Sequence, residues 1–171
     1  KHISQDEVAF WLYSSGTTGN PKGVKHVHGS LQKTYDTYAK QVLSIKQDDI
    51  VFSVAKLFFA YGLGNAMTFP LSVGASSILL PSRPLPDKIV EILKKYKISI
   101  LFAVPTFFSA LLEYFGGKWD KEKYNLRVSV SAGEALPKLI GHSWSDLTST
   151  EILDGIGSTE MLHIFLSNYP N

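Results

Sequence analysis

Ile98-Ser99-Ile100-Leu101-Phe102-Ala103-Val104-Pro105 decides the fold class. Seven residues rich in strand formers run straight into a proline, which opens a helix well because its missing N–H has no intrahelical partner to lose there. The stretch predicts a core strand over residues 98–104 and a helix over 105–115. Just upstream, Ile89, Val90, Leu93 and Tyr96 fall at i, i+1, i+4 and i+7, the stripe of an amphipathic helix over 87–96. Lys94 and Lys95 suit the negative end of its dipole. Working outward, strands are expected at 8–13, 23–28, 50–55, 77–80, 127–131 and 151–153. Helices are expected at 29–42 with Ser30 as N-cap, at 64–71 before a glycine turn at Gly74, and after Pro137. The first two strands bracket a Gly/Thr/Pro loop as an antiparallel pair. Strands alternating with helices define an α/β domain, a largely parallel sheet layered with helices.

Composition agrees with a packed domain and removes several function classes. The chain has 171 residues, 44% hydrophobic and 19% charged, with neither an internal repeat nor a composition shift that would divide it. A formal net charge of +2 without a Lys/Arg-rich run offers no footprint for nucleic acid or an anionic membrane. The lack of cysteine excludes a disulfide framework, a Cys zinc site, an iron–sulfur cluster and a thiol nucleophile, and permits a reducing cytoplasm. Residues 57–82 are uncharged and long enough for a membrane span, but Gly62, Gly64, Pro70, Gly74 and Pro81 read better as a buried helix, a turn and a strand. The start at Lys1 and the end at Tyr169-Pro170-Asn171 lead us to expect a piece of a longer chain.

The densest chemistry lies in Ser14-Ser15-Gly16-Thr17-Thr18-Gly19-Asn20-Pro21-Lys22-Gly23. Glycines let backbone N–H groups converge on an anion, hydroxyls donate hydrogen bonds, and Lys22 adds a mobile positive charge. This describes either a phosphate cradle or a solvated turn. It is not the Walker form, which needs Ser or Thr directly after the lysine where Gly23 stands. Asp154-Gly155-Ile156-Gly157-Ser158-Thr159-Glu160 sets a carboxylate beside a hydroxyl, suited to a hard cation bridging phosphate oxygens or to a helix start capped by Ser158. Ser131-Ala132-Gly133-Glu134-Ala135-Leu136-Pro137 reads as a turn from strand to helix, and Lys56-Leu57-Phe58-Phe59-Ala60-Tyr61-Gly62 as an aromatic cluster. His26 and His28 share a strand face at i, i+2, but no third metal ligand accompanies them, and packing is the better reading.

The first of these strings, from Tyr13 to Gly23, resembles the signature loop of the adenylate-forming acyl-CoA synthetase superfamily, and the other three follow in that superfamily's order. The resemblance implies that Ser14, Ser15, Gly16, Thr17, Thr18, Gly19 and Lys22 hold the phosphates of ATP. It implies that Thr159 touches the α-phosphate and that Glu160 helps hold Mg²⁺. Thr17, Lys22, Thr159 and Glu160 are then the catalytic set. Gly133, Glu134, Ala135, Asp154, Gly155 and Ile156 would form the adenine side, although many members carry tyrosine where Ile156 stands. Phe59, Ala60 and Tyr61, with Gly157, His163 and Ile164, resemble the aryl pocket of benzoate-CoA ligases. The pocket positions bear rings and aliphatics but no acid, lysine or arginine.

The implied reaction consumes ATP and a carboxylate, passes through an acyl-adenylate, and delivers the acyl group to coenzyme A. The implied setting is cytoplasmic degradation of aromatic acids. The chain would be one AMP-binding domain fragment, the central part of the large N-terminal domain. The superfamily's ribose-binding aspartate and C-terminal lysine domain would lie outside it. A nucleotide-binding fragment without turnover, and a synthetase for another carboxylate, remain alternatives.

Overall fold

The computed structural model describes residues 2–15 and 19–170. Its centre is a six-stranded sheet formed by β3 (Ile50–Ser53), β4 (Ser76–Ile78), β5 (Ile100–Ala103), β6 (Val128–Ala132), β7 (Ile152–Gly157) and β8 (Ile164–Ser167). Their order is β4-β3-β5-β6-β7-β8, and all pairs are parallel except β7 with β8. Away from it, β1 (Val8–Ser14) and β2 (Lys22–Val27) form the expected antiparallel pair. The α/β reading therefore stands.

A parallel sheet covered on both faces needs apolar side chains on both, so its strands read as continuous apolar runs. Every residue of β5 is fully buried. Ile100 and Phe102 join one core with Tyr38, Val51, Phe69, Val130 and Leu153, while Leu101 and Ala103 join the other. The second core receives α4 (Pro86–Tyr96), α5 (Pro105–Phe115) and α6 (Lys138–Thr148). Pro105 opens its helix as the sequence predicts, and α4 likewise opens on a proline, Pro86, one residue before the expected start.

The helices on the other face depart from expectation. The first, α1 (His28–Thr34), begins at His28 with Val27 as N-cap, so Ser30 caps nothing, and it widens into a π-turn at Tyr35–Ala39. The next starts earlier than predicted, as α2 (Ala60–Leu63), passes through a π-turn at Gly64–Thr68, and continues as α3 (Phe69–Val73). A π-turn carries an additional residue per turn, which here places Gly64, Asn65 and Ala66 consecutively in the interior. The strand β8 was not expected from the sequence.

The amino ends of three strands meet at Asp49. Its Oδ1 accepts hydrogen bonds from Ser99 Oγ (2.7 Å) and Arg127 Nε (2.8 Å), and its Oδ2 accepts from Arg127 Nη2 (2.6 Å) and the Lys46 N–H (2.8 Å). Burial alone would raise the Asp49 pKa, but the bonds from Arg127, Ser99 and Lys46, with the guanidinium charge, outweigh it and hold the carboxyl below its ordinary range. Arg127→Ala leaves this buried carboxylate short of two donors and is expected to destabilise the full-length protein by about 1–3 kcal/mol, readable in urea melts. An unchanged midpoint would show that the pair carries no net stability.

Candidate active site

A cavity of about 490 Å³ opens where β5, β6 and β7 end. Crevices outside the carboxyl ends of parallel strands are the usual ligand sites of α/β sheets, and the volume falls within the range of small-molecule pockets. Val104, Ala132 and Gly133 line it from the strand ends, Phe59, Ala60 and Tyr61 from the start of α2, and Gly157, Thr159, His163 and Ile164 from the turn joining β7 to β8. The six residues expected for an aryl pocket thus come together, although some hundred positions separate the two segments that supply them. Gly157 is required by the return of β8: a Cβ there would stand 2.8 Å from the carbonyl oxygen of His163.

The walls are electrically quiet. Tyr61 is anchored by its hydroxyl, which lies 3.2 Å from the Ala103 carbonyl and 3.1 Å from that of Val130. Burial pushes its pKa well above the ordinary value, so it stays a neutral phenol. His163, 2% exposed, is ringed by Tyr38, Tyr61 and Phe69 at centroid distances of 5.2, 5.5 and 4.5 Å. Burial drives its pKa down to about 3, against a smaller opposite pull from the Tyr61 backbone. The six expected positions carry no acid, lysine or arginine, but a lysine outside that set also lines the cavity. Lys56 contributes its aliphatic stem, while its ammonium turns away to the carbonyl oxygens of Leu80 and Ser82. Long cationic side chains divide in this way between apolar and polar surroundings.

The nucleotide residues are more dispersed. Gly16, Thr17 and Thr18 lie outside the described residues. Ser14 pairs with Lys22 at the loop end of the hairpin, and Ser15, Gly19 and Lys22 are exposed. Thr159 sits on the cavity rim, but Glu160 lines a separate hollow beside His26, Ser30 and Lys33. Glu134 and Ala135 are exposed next to cavity-lining Gly133, and the Leu136 N–H donates to Asp154 Oδ2 at 3.4 Å. Gly155 is buried in β7, and Ile156, 59% exposed, presents an uncovered aliphatic side chain. Sequence reading missed Lys56, Pro84, Val104, Phe107 and Ala132 as cavity residues; the position of Val104 and Ala132 at core-strand ends was the available signal. His26 and His28 do not share a strand face, because β2 stops at Val27; His26 is buried and donates from Nε2 to the Thr159 carbonyl at 2.9 Å.

The profile of the AMP-binding enzyme family matches residues 1–171, and the chain belongs to that family. Over 164 residues it is 51% identical to a benzoate–CoA ligase of Thauera aromatica, covering 95% of this chain and 31% of that protein. It is 46% identical to a 4-hydroxybenzoate–CoA/benzoate–CoA ligase of Rhodopseudomonas palustris, over 97% of this chain and 31% of the relative. The crystal structure of a benzoate CoA ligase from Burkholderia xenovorans LB400 superposes with a TM-score of 0.90 at 49% identity, over 97% of this chain and 33% of that one. The chain therefore spans about a third of the length of these relatives.

Folded His163 stays neutral, whereas unfolded it binds a proton below its ordinary pKa of 6.5. Its contribution to stability is complete above pH 6.5 and is lost as the pH falls from 6.5 to about 3. His163→Gln, which cannot titrate, is expected to flatten that acid limb in denaturation curves of the full-length protein. An equally steep limb would show that other groups set it.

Proposed function

We propose that this chain is the central part of the large N-terminal domain of an aryl-CoA ligase, which joins benzoate or a close analogue to coenzyme A through an acyl-adenylate. The observation that carries the reading is the cavity itself: Phe59, Ala60, Tyr61, Gly157, His163 and Ile164 close around one apolar space with a neutral histidine, no carboxylate, and a lysine whose charge is turned away. A flat, uncharged ring matches such walls, whereas a second carboxylate on the ring would find no cation to pair with. Phosphate handling is assigned to residues 14–22 and to Thr159 by motif, and the position of Thr159 on the cavity rim supports it.

In the proposed reaction a carboxylate oxygen attacks the α-phosphorus of ATP and pyrophosphate leaves. The thiol sulfur of CoA then attacks the acyl carbon, its proton is lost, and AMP departs. The aryl walls orient the carboxylate toward Thr159, whose hydroxyl donates to an α-phosphate oxygen. Lys22 and the hydroxyls of its loop offset charge on the departing pyrophosphate. Glu160 would hold Mg²⁺; it is exposed and adjacent to Thr159, and Mg²⁺ commonly takes one or two carboxylates with substrate phosphates. Among the described residues no three His, Cys, Asp or Glu side chains form a cluster that could hold a metal ion. When bound, the ion supplies charge neutralisation on the phosphates.

We further propose a cytoplasmic setting and a part in aromatic-acid degradation, a reading supported by the likeness to benzoate–CoA ligases. Among the described residues no helix is long and apolar enough to cross a membrane. The 171 residues by themselves are proposed to bind nucleotide without turnover, since two thirds of the relatives' length, with its orienting groups, is not in this chain.

A benzoate-dependent exchange of pyrophosphate into ATP by the full-length protein tests the assignment, and exchange with long-chain fatty acids but not benzoate would sink it. Ala60→Leu puts three more carbons into the cavity wall at a cost of about 1–3 kcal/mol. Benzoate kcat/KM is then expected to fall roughly ten- to a hundredfold, with the KM for ATP unchanged. Lys22→Ala should do the reverse, raising the KM for ATP more than that for benzoate. Glu160→Gln should lose activity that added Mg²⁺ partly restores; a loss equal at all Mg²⁺ concentrations would assign Glu160 a structural role.

A further inference from the structure

Asn65 is the one fully buried polar residue of the π-turn Gly64–Thr68, and it stands outside every motif discussed above. Its Oδ1 lies 2.9 Å from His163 Nε2, across 98 positions of sequence. A carboxamide oxygen only accepts, so this contact requires the proton on Nε2 and leaves Nδ1 as a bare acceptor. Nδ1 is buried without a hydrogen-bond partner among the described residues. The ring is also fixed from the side. A Cβ on Gly64 would stand 2.9 Å from His163 Nε2 and 3.1 Å from Phe69 Cζ, so the imidazole edge occupies the space that glycine leaves. The widened turn delivers both Gly64 and Asn65 to the same histidine. Histidine among three aromatic rings could otherwise rotate and present a polar nitrogen to the cavity.

We propose that Asn65 is a specificity-determining positioning residue, which locks His163 in its neutral Nε2–H form and orientation so that the ring serves as a flat, uncharged wall for the aryl substrate. This rests on the aryl-carboxylate reading above and adds to it the group that keeps a titratable wall inert. Asn65 touches no substrate; it acts through His163.

The experiment uses the full-length protein with ¹⁵N-histidine labelling. The wild type should show His163 as the Nε2–H tautomer at neutral pH with no titration down to pH 5. An Nδ1–H or titrating His163 would overturn the proposal without any variant. Asn65→Leu removes the acceptor and should abolish the single-tautomer signature, raising the KM for benzoate at least tenfold while the KM for ATP moves less than twofold. Asn65→Gln keeps a neutral amide acceptor and should recover part of the benzoate KM. Unchanged benzoate KM in Asn65→Leu, an equal loss in both variants, or parallel losses for benzoate and ATP would each overturn the positioning role. A wild type that turns over no aryl acid would overturn the proposed function, whereas the tautomer measurement judges the Asn65–His163 arrangement alone.

Discussion

The site depends on a latch at the opposite end of the sheet. Asp49 binds Ser99 and Arg127 directly, so the segments entering β3, β5 and β6 are held at one level by a single buried carboxylate. Arg127 adds bonds to the Leu43 carbonyl, which ties in the chain leaving the first helical segment. Side chains alternate across a strand at about 3.3 Å per residue, so a slip of one position would raise a strand end by that distance and exchange its two faces. With the amino ends aligned, Val51 pairs with Ile100 and Ile100 with Val128. The carboxyl ends then arrive together, and Val104, Ala132 and Gly133 stand around one opening. The cavity is therefore a consequence of register.

Its chemistry follows from what surrounds the opening. The strand ends contribute backbone and small side chains, and α2 and the turn before β8 bring the rings. Two polar rings in the wall, Tyr61 and His163, would each carry a solvation cost if left free. Each instead spends a polar atom on a protein partner: the Tyr61 hydroxyl on strand carbonyls, and His163 Nε2 on Asn65. Burial then disfavours the ionised form of both, so two titratable side chains behave as apolar surface across the physiological range.

Much of this was legible in the sequence. The β5–α5 junction is readable because Pro105 marks the helix start and the apolar run before it has no polar face to place. The hairpin was readable from its glycine-rich loop, and six of the residues that line the cavity from two strings that resemble one subgroup of ligases. What escaped depends on tertiary geometry. The strand β8 has Phe165 and Leu166 exposed in sequence, 54% and 59%, so it lacks the alternation that announces a half-buried strand. The π-turns change residues per turn without changing composition, and the clue to the second was a lone amide, Asn65, inside an apolar stretch. The direction of the Lys56 ammonium is set by carbonyls some two dozen positions away, which no local pattern encodes.

The proposed ligation would need the phosphates and the acyl group held in one frame, yet the hairpin with the Ser/Thr/Gly loop belongs to a different sheet from the one that forms the cavity. One tie between them is the bond from His26 Nε2 to the Thr159 carbonyl, with Phe10 stacked on the imidazole at a centroid distance of 5.3 Å. Thr159 lies on the cavity rim, and its neighbour Glu160 faces the hollow that His26 also lines. A hydrogen bond to a backbone carbonyl fixes position without adding charge, which suits a joint between the hairpin and an apolar pocket. The turn from β7 to β8 is thus held twice: His26 holds it at Thr159 from the hairpin side, and Asn65 holds it at His163 from the π-turn. Three residues separate the two holds, and both Thr159 and His163 line the cavity. A turn gripped by His26 at one end and by Asn65 at the other gives the hairpin and the cavity wall a common reference, although no strand joins the two sheets.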